Sequence, residues 1–309
     1  MKKIVVIGSI NIDLFIYGIE RIPRLNEAVL GESYEYGYGG KAANQAIALN
    51  KMDIKTYLIG SVGKDEYGSN YLNYLDGLNI NTDHLKVVEK EKTGTAVINI
   101  MNNGEYFSTT IPGANHYVDV SELEKIITEI NPDFVLIQFE ILKETIYSIA
   151  EICNSMNVKL VVDAGPPLPG LDLNKLGKIF ILSPNQSEAE FLTGIKIESE
   201  QSIYETALTL YENSNSEYIL LKLGEQGSYL YDGQKGELFP SYKVNAVDTT
   251  AAGDTFIASF LKRYLETQDI PKSIDFASYA SSICVTKKGA AESIPSYKEV
   301  MDGYQKMEE

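Results

Sequence analysis

The chain has 309 residues, with 27 Lys and Arg against 43 Asp and Glu and a formal net charge of -16. That length supports a substantial core in one large α/β domain, and the acidic excess argues against a nucleic-acid backbone or an anionic membrane surface as the main partner. An anionic small molecule stays open, because a cluster of backbone N–H groups and one or two lysines reverses the field inside a cleft.

The run Ile4 to Ile7 ends in Gly8-Ser9 and reads as a buried strand of a mostly parallel sheet. It is too short for a signal peptide, and no segment approaches the ~20 apolar residues of a membrane span, so a cytoplasmic protein is expected. Asn11 and Asp13 follow, either beyond a strand's carboxyl end, where open α/β sheets bind ligands, or in an Asx-turn. From Leu14 to Gly40 and again from Thr93 to Ile111 the pattern turns to alternating and aromatic residues, with a hairpin turn at Asn103-Gly104. These two pieces suggest a small accessory β-sheet laid over a larger body, as a lid, a dimer surface or both.

Between them, Gly39-Gly40-Lys41-Ala42-Ala43-Asn44-Gln45 opens an alanine-rich helix running to about Lys51. Glu35 and Ala42 stand where a Walker A loop needs Gly and Ser or Thr, and no Gly-x-Gly-x-x-Gly fingerprint is present. The glycines fit either a close backbone approach to a ligand, with Lys41 and Asn44 as donors, or a plain turn. Further on, strands and helices alternate: a helix from about Ser121 with a Ser121-x-x-Glu124 capping box, then strands Phe134 to Gln138, Lys159 to Asp163, Ile179 to Leu182 and Tyr218 to Leu223. Polar groups follow several strand ends: Glu140, then Asn185 with Glu188, then Lys222 and Gly224. Asn185 and Glu188 are spaced either to orient metal-bound waters or to cap a helix. A hairpin turned at Asp232-Gly233 precedes two closing helices. His84 and His116 form no triad or metal pair, and Cys153 and Cys284 no Cys-x-x-Cys pair.

Ala246 to Phe256 is the most telling stretch, because Ala251-Ala252-Gly253-Asp254 precedes apolar residues at helical spacing. A helix starting at small residues aims unpaired N–H groups outward and suits phosphate. Asp254 beside that site is either a catalytic base for a hydroxyl or a first-turn acid on the helix dipole.

Taken together these segments resemble the ribokinase family of carbohydrate kinases over essentially the whole chain. The resemblance rests on Gly8 to Asp13, Gly39 to Gln45, Ser183 to Glu190, the stretch through Phe256, and Val285 to Pro295. It implies one three-layer α/β/α domain, residues 1–309, with a mostly parallel central sheet and lid segments at about 14–40 and 93–111. It also implies ATP-dependent phosphorylation of a sugar hydroxyl, with D-ribose at its primary hydroxyl the expected substrate. Another sugar or nucleoside as acceptor, or a catalytically silent sugar binder, are the alternatives. Asp254 would be the base and Ala251, Ala252 and Gly253 the anion hole. Asn11, Asp13, Gly40, Lys41, Asn44 and Glu140 would hold the sugar. Asn185 and Glu188 would place the nucleotide phosphates with Mg²⁺, and Lys222 and Gly224 would lie along the nucleotide. An activating K⁺ would take oxygens of Asp248 and of the main chain at Thr250, Cys284, Lys287 and Gly289, with Ser293 nearby. A homodimer through the lid is a further implication. Ala42, Arg24-Leu25-Asn26-Glu27 and Asp163-Ala164-Gly165-Pro166 depart from the usual family pattern.

Overall fold

The computed structural model describes residues 2–103 and 105–308. In chain order its elements are β1 (Lys3–Ile7), β2 (Asn11–Ile19), β3 (Ser33–Gly39), α1 (Lys41–Lys51), β4 (Lys55–Gly63), α2 (Glu66–Gly77), β5 (Leu85–Val88), β6 (Gly94–Met101) and β7 (Tyr106–Ile111). Then follow α3 (Leu123–Ile130), β8 (Phe134–Ile137), α4 (Lys143–Ser155), β9 (Lys159–Val162), β10 (Lys178–Leu182), α5 (Gln186–Thr193), α6 (Glu200–Glu212), β11 (Asn215–Lys222), β12 (Ser228–Tyr231), β13 (Gly236–Phe239), α7 (Ala252–Thr267), α8 (Ile270–Cys284) and α9 (Tyr297–Glu308).

Nine strands form the central sheet in the order β13-β12-β11-β10-β9-β8-β1-β4-β5, parallel except for β12 and β13 at one edge. The short runs Lys-Ile-Val-Val-Ile and Phe-Val-Leu-Ile are apolar on both pleat faces because both faces are covered. Ile4, Val6, Phe134 and Leu136 pack toward α1, α2, α7 and α8, while Val5, Ile7, Val135 and Ile137 pack toward α3, α4, α5 and α6. The expected α/β/α layering is therefore observed, with two separate cores either side of the sheet.

Sheet order reverses at β1, from which the chain proceeds to β4 and β5 on one side and to β8 through β11 on the other. Ligands of open α/β sheets bind beyond the strand carboxyl ends at such a switch point. Here the register aligns Ile7, Ile137, Val162, Leu182 and Ile219 across five strands. The polar residues that follow these positions consequently emerge along one edge.

A second, four-stranded sheet has the order β3-β2-β6-β7. Asn11 and Asp13 lie on β2, paired with Gly39 and Gly37 of β3, so the Asx-turn alternative gives way to a strand that turns both side chains to one face. The β6–β7 pair closes at Ile100 opposite Tyr106, and the predicted turn at Gly104 lies outside the described residues. The Ser121-x-x-Glu124 capping box is not formed. Asp119 takes both the N–H and the hydroxyl of Ser121, and α3 begins at Leu123 without a side-chain cap.

Candidate active site

The site forms where the carboxyl edge of the sheet meets the first turns of α1 and α7. At α1 the helix starts on Gly40, whose φ of 91° lets Lys41 turn its N–H to the Glu140 carboxylate at 3.2 Å. The Ser9 hydroxyl donates to the same Glu140 oxygen, tying the end of β1 to the segment after β8. Asn44 is buried one turn on, and its Oδ1 has no hydrogen-bond partner among the described residues. A buried amide oxygen without a donor is costly, and a ligand hydroxyl would relieve it.

Asp13 reaches this corner from β2. Burial pushes its carboxyl up to about 7, with the negative charges of Glu140 and Asp254 adding to the rise. Asn11 is buried beside it and accepts from Asn115 Nδ2 at 2.7 Å, while Asn115 Oδ1 accepts from the Ile10 N–H at 2.9 Å.

At α7 the entry is made by Ala251 in the left-handed region, φ 59°, with no side-chain cap. Ala252 N–H turns back to the Thr249 carbonyl and Thr255 N–H to that of Ala251. Those bonds leave the N–H groups of Gly253 and Asp254 without a main-chain carbonyl among the described residues, at the wall of a cavity of about 760 Å³. Lys41, Asn185, Lys222 and Gly224 line the same cavity, which runs out past Tyr242 to Ser278, Ser282 and Val285. Asp254 is buried, and its Oδ1 accepts from Gln45 Nε2 at 3.0 Å. Burial raises this carboxyl to about 6, with Asp163 helping and Lys41, Gln45 and Lys222 opposing.

Of the two readings made from the spacing of Asn185 and Glu188, the structure shows the helix cap. They form a capping box at α5, in which Asn185 Oδ1 accepts from Glu188 N–H and Glu188 Oε2 from Asn185 N–H. The other oxygen of Glu188 stands 3.8 Å from the Lys41 ammonium.

A second cluster lies behind the α7 entry. Asp248 accepts from the N–H and hydroxyl of Thr250 at 2.9 and 2.7 Å and from Gly289 N–H at 3.0 Å. Burial would raise this carboxyl, yet these donors hold it below the usual value. Cys284 Sγ sits 3.7 Å from the Thr250 carbonyl and 3.2 Å from Ser293 Oγ. The Lys287 ammonium points away from this cluster and pairs with Glu299 at 2.8 Å.

Sequence reasoning missed Gln45 and Asp163. Asp163, fully buried after β9, takes Lys222 on Oδ1 and Gln45 on Oδ2 at 2.7 Å, with Lys41 at 3.5 Å. Burial pushes Asp163 up, but the two ammonium groups more than reverse this and its carboxyl lies below the usual range. Their signals, an amide next to Asn44 and an acid ending a strand, were present without anything in the sequence to say that they meet.

The pfkB family carbohydrate kinase pattern matches residues 1–297. Ribokinases of Staphylococcus aureus and Haemophilus influenzae are 37% and 32% identical, each over 97% of this chain and 98% of its own length. A deoxyribokinase of Salmonella typhi is 29% identical over 96% of both chains. Among solved structures, ribokinase from Giardia lamblia aligns with a TM-score of 0.90 at 28% identity, covering 99% of both chains. Arabidopsis thaliana ribokinase complexed with ribose and ATP aligns at 0.86 with 32% identity over 98% of both. The chain belongs to the pfkB family of carbohydrate kinases and is a phosphotransferase acting on a sugar.

Proposed function

We propose that this kinase transfers the γ-phosphoryl group of ATP to the primary hydroxyl of D-ribose, with Asp254 as general base. The observation that carries the reading is the placement of Asp254: a buried carboxylate in the first turn of α7, with hydroxyl-binding groups on one side and the nucleotide-sized cavity on the other. Its carboxyl at about 6 is ionised at neutral pH and still basic enough to accept a proton. As the sugar oxygen bonds to the γ-phosphorus and the bond from that phosphorus to its bridging oxygen breaks, Asp254 takes the hydroxyl proton and ADP leaves. Charge on the transferred oxygens is met by the helix start at Ala251, Ala252 and Gly253, with the N–H groups of Gly253 and Asp254 nearest.

Asn11, Asp13, Gly40, Lys41, Asn44 and Glu140 hold the sugar, in keeping with a polyol that needs both donors and acceptors. Ribose is favoured by the ribokinase relatives, and the deoxyribokinase likeness makes 2-deoxyribose the competitor. Asn185, Glu188, Lys222 and Gly224 serve the nucleotide. Glu140, Asp163, Glu188 and Asp254 outnumber Lys41 and Lys222, so an entering polyphosphate needs an accompanying cation. Among the described residues no three acidic, Cys or His groups gather as a metal cage. That suits Mg²⁺ held mainly by phosphates and water, with Glu188 orienting the waters. Bound there, Mg²⁺ would neutralise charge on the phosphates.

Asp248 and the carbonyls around Thr250 and Cys284 are hard oxygen donors suited to K⁺, beside the helix start they would stiffen. Titrating K⁺ against tetramethylammonium should raise the rate, and a flat response removes this assignment. The small sheet, at about 14–40 and 93–111 within a single domain, acts as a lid and as the contact between two subunits.

A coupled ADP-release assay across ribose, 2-deoxyribose, fructose, 2-keto-3-deoxygluconate and nucleosides tests the reading, with phosphorus NMR of the product to locate the phosphate. Ribose should give the highest kcat/KM. Turnover of none would point to a silent sugar binder on this scaffold.

A further inference from the structure

Lys222 ends β11, and its backbone is pinned by donation to the Pro184 carbonyl at 2.9 Å and a bridge to Asn185. From there the side chain crosses β10 to reach Asp163 at the end of β9. The ammonium also faces Gly253. A Cβ built on that glycine would lie 3.7 Å from Lys222 Nζ, and among the described residues no other atom outside the local helix comes within 4 Å of that position. The cation therefore stands across a short gap from the start of α7.

We infer that Lys222 is a catalytic residue, its ammonium held on Asp163 so as to contact the phosphoryl group in flight, with Asp163 as the positioning residue. This deepens the kinase reading above and rests on it. An ammonium is a compact charge with three donors, so one can stay on Asp163 while another meets an equatorial phosphoryl oxygen. The N–H groups of Gly253 and Asp254 would approach that group from the other side. Asp163 is buried with 1% of its side chain exposed, and Lys222 keeps 12%. A carboxylate that deep, spanned by two lysines and Gln45, fixes where the cation stands before the anion arrives. A salt bridge serving stability alone would have no reason to open onto the helix start.

The test compares wild type, Lys222→Met, Lys222→Arg, Asp163→Asn and the double variant Lys222→Met/Asp163→Asn, which removes both charges and keeps the question answerable if Lys222→Met fails to fold. For Lys222→Met we expect kcat to fall by about 100-fold, with the KM for ATP and the Kd for sugar within about threefold. Affinity for ADP with aluminium fluoride in the presence of sugar should fall with kcat, while affinity for ADP alone should not. Lys222→Arg should recover part of the loss. Asp163→Asn, which still accepts from Gln45, should lower kcat, and the double variant should be no slower than Lys222→Met alone, since Asp163 acts through the lysine. Unchanged kcat in Lys222→Met overturns the proposal, as does a loss confined to KM for ATP or a weakened ADP complex of the same size. Failure of wild type to turn over any sugar removes the kinase reading itself, and this inference with it.

Discussion

Burial pushes Asp254 up to about 6 and Asp13 up to about 7, and the Asp254 charge adds to the rise at Asp13. A base works only when ionised, so kcat/KM for the sugar should fall about tenfold per unit as pH drops below about 6. Asp254→Asn should lower kcat by about 10²- to 10⁴-fold, the usual worth of a positioned base, while calorimetry finds the sugar still bound. Unchanged turnover with intact binding would remove Asp254 from that role. The same shifts act on stability, with a definite sign. An acid whose folded value is raised binds its proton more tightly in the native state, so the stability it contributes is complete below the unfolded value and is lost as pH rises through the folded one. For Asp13 that window runs from about 4 to about 7. The Asp13→Asn protein cannot ionise there, so without sugar its melting temperature should gain on wild type as pH is raised from about 4 to about 7. A gap that stays constant or narrows would show that Asp13 carries no raised value.

At the scale of elements, the proposed sugar side depends on how α1 starts. Gly40 has φ 91°, and a Cβ there would lie 2.6 Å from Asn11 N and 2.8 Å from Ser9 O, both backbone atoms that cannot swing aside. Gly40→Ala should therefore cost about 1–3 kcal/mol of stability by denaturant unfolding and weaken sugar binding, because it displaces β2 from Lys41 and Glu140. Wild-type stability in this variant would mean the helix entry is softer than its geometry implies. The parallel strands around this entry are legible in the sequence because each is a short apolar run ended by a polar residue, and parallel pairing brings those ends to one edge. The start of α7 is legible for a similar reason, since small residues before a helical apolar stripe leave few alternatives. Pairings are harder to read. Gln45 shows as one polar residue in a helix, and only the packing of α1 against α7 sets its amide between Asp163 and Asp254. Asn115, in a short turn after β7, has no periodic pattern to announce it, yet it anchors Asn11. The Ser121 cap fails because Asp119, two residues earlier, competes for the same hydroxyl.

On the scale of the whole molecule the two sheets are unequal partners. Helices cover both faces of the nine-stranded sheet, whereas the four-stranded one carries half-buried apolar side chains on both faces: Leu14, Ile16 and Val97 on one, Phe15, Tyr17 and Ile98 on the other. Tyr34, Tyr36, Tyr106 and Ile111 on its outer strands are exposed. A sheet that carries apolar groups on both faces and leaves its outer strands exposed is suited to a second copy of itself. Covering it by a partner would also fix the position of Asp13, which β2 carries on the same face as Phe15. Sedimentation of the proposed lid-to-lid assembly should then show dimers at micromolar concentration. Ile98→Glu, which would bury a charge in that contact, should yield monomers. The body keeps its two cores in such a monomer, so it should remain folded by circular dichroism, with a melting temperature lowered by loss of the subunit contact. KM for the sugar should rise while KM for ATP holds, because β2 carries Asp13 and the cavity proposed for the nucleotide is lined by the body. Monomeric wild type at those concentrations would refute the assembly. An Ile98→Glu monomer with unaltered sugar KM would refute the link between assembly and the sugar site and leave the dimer standing.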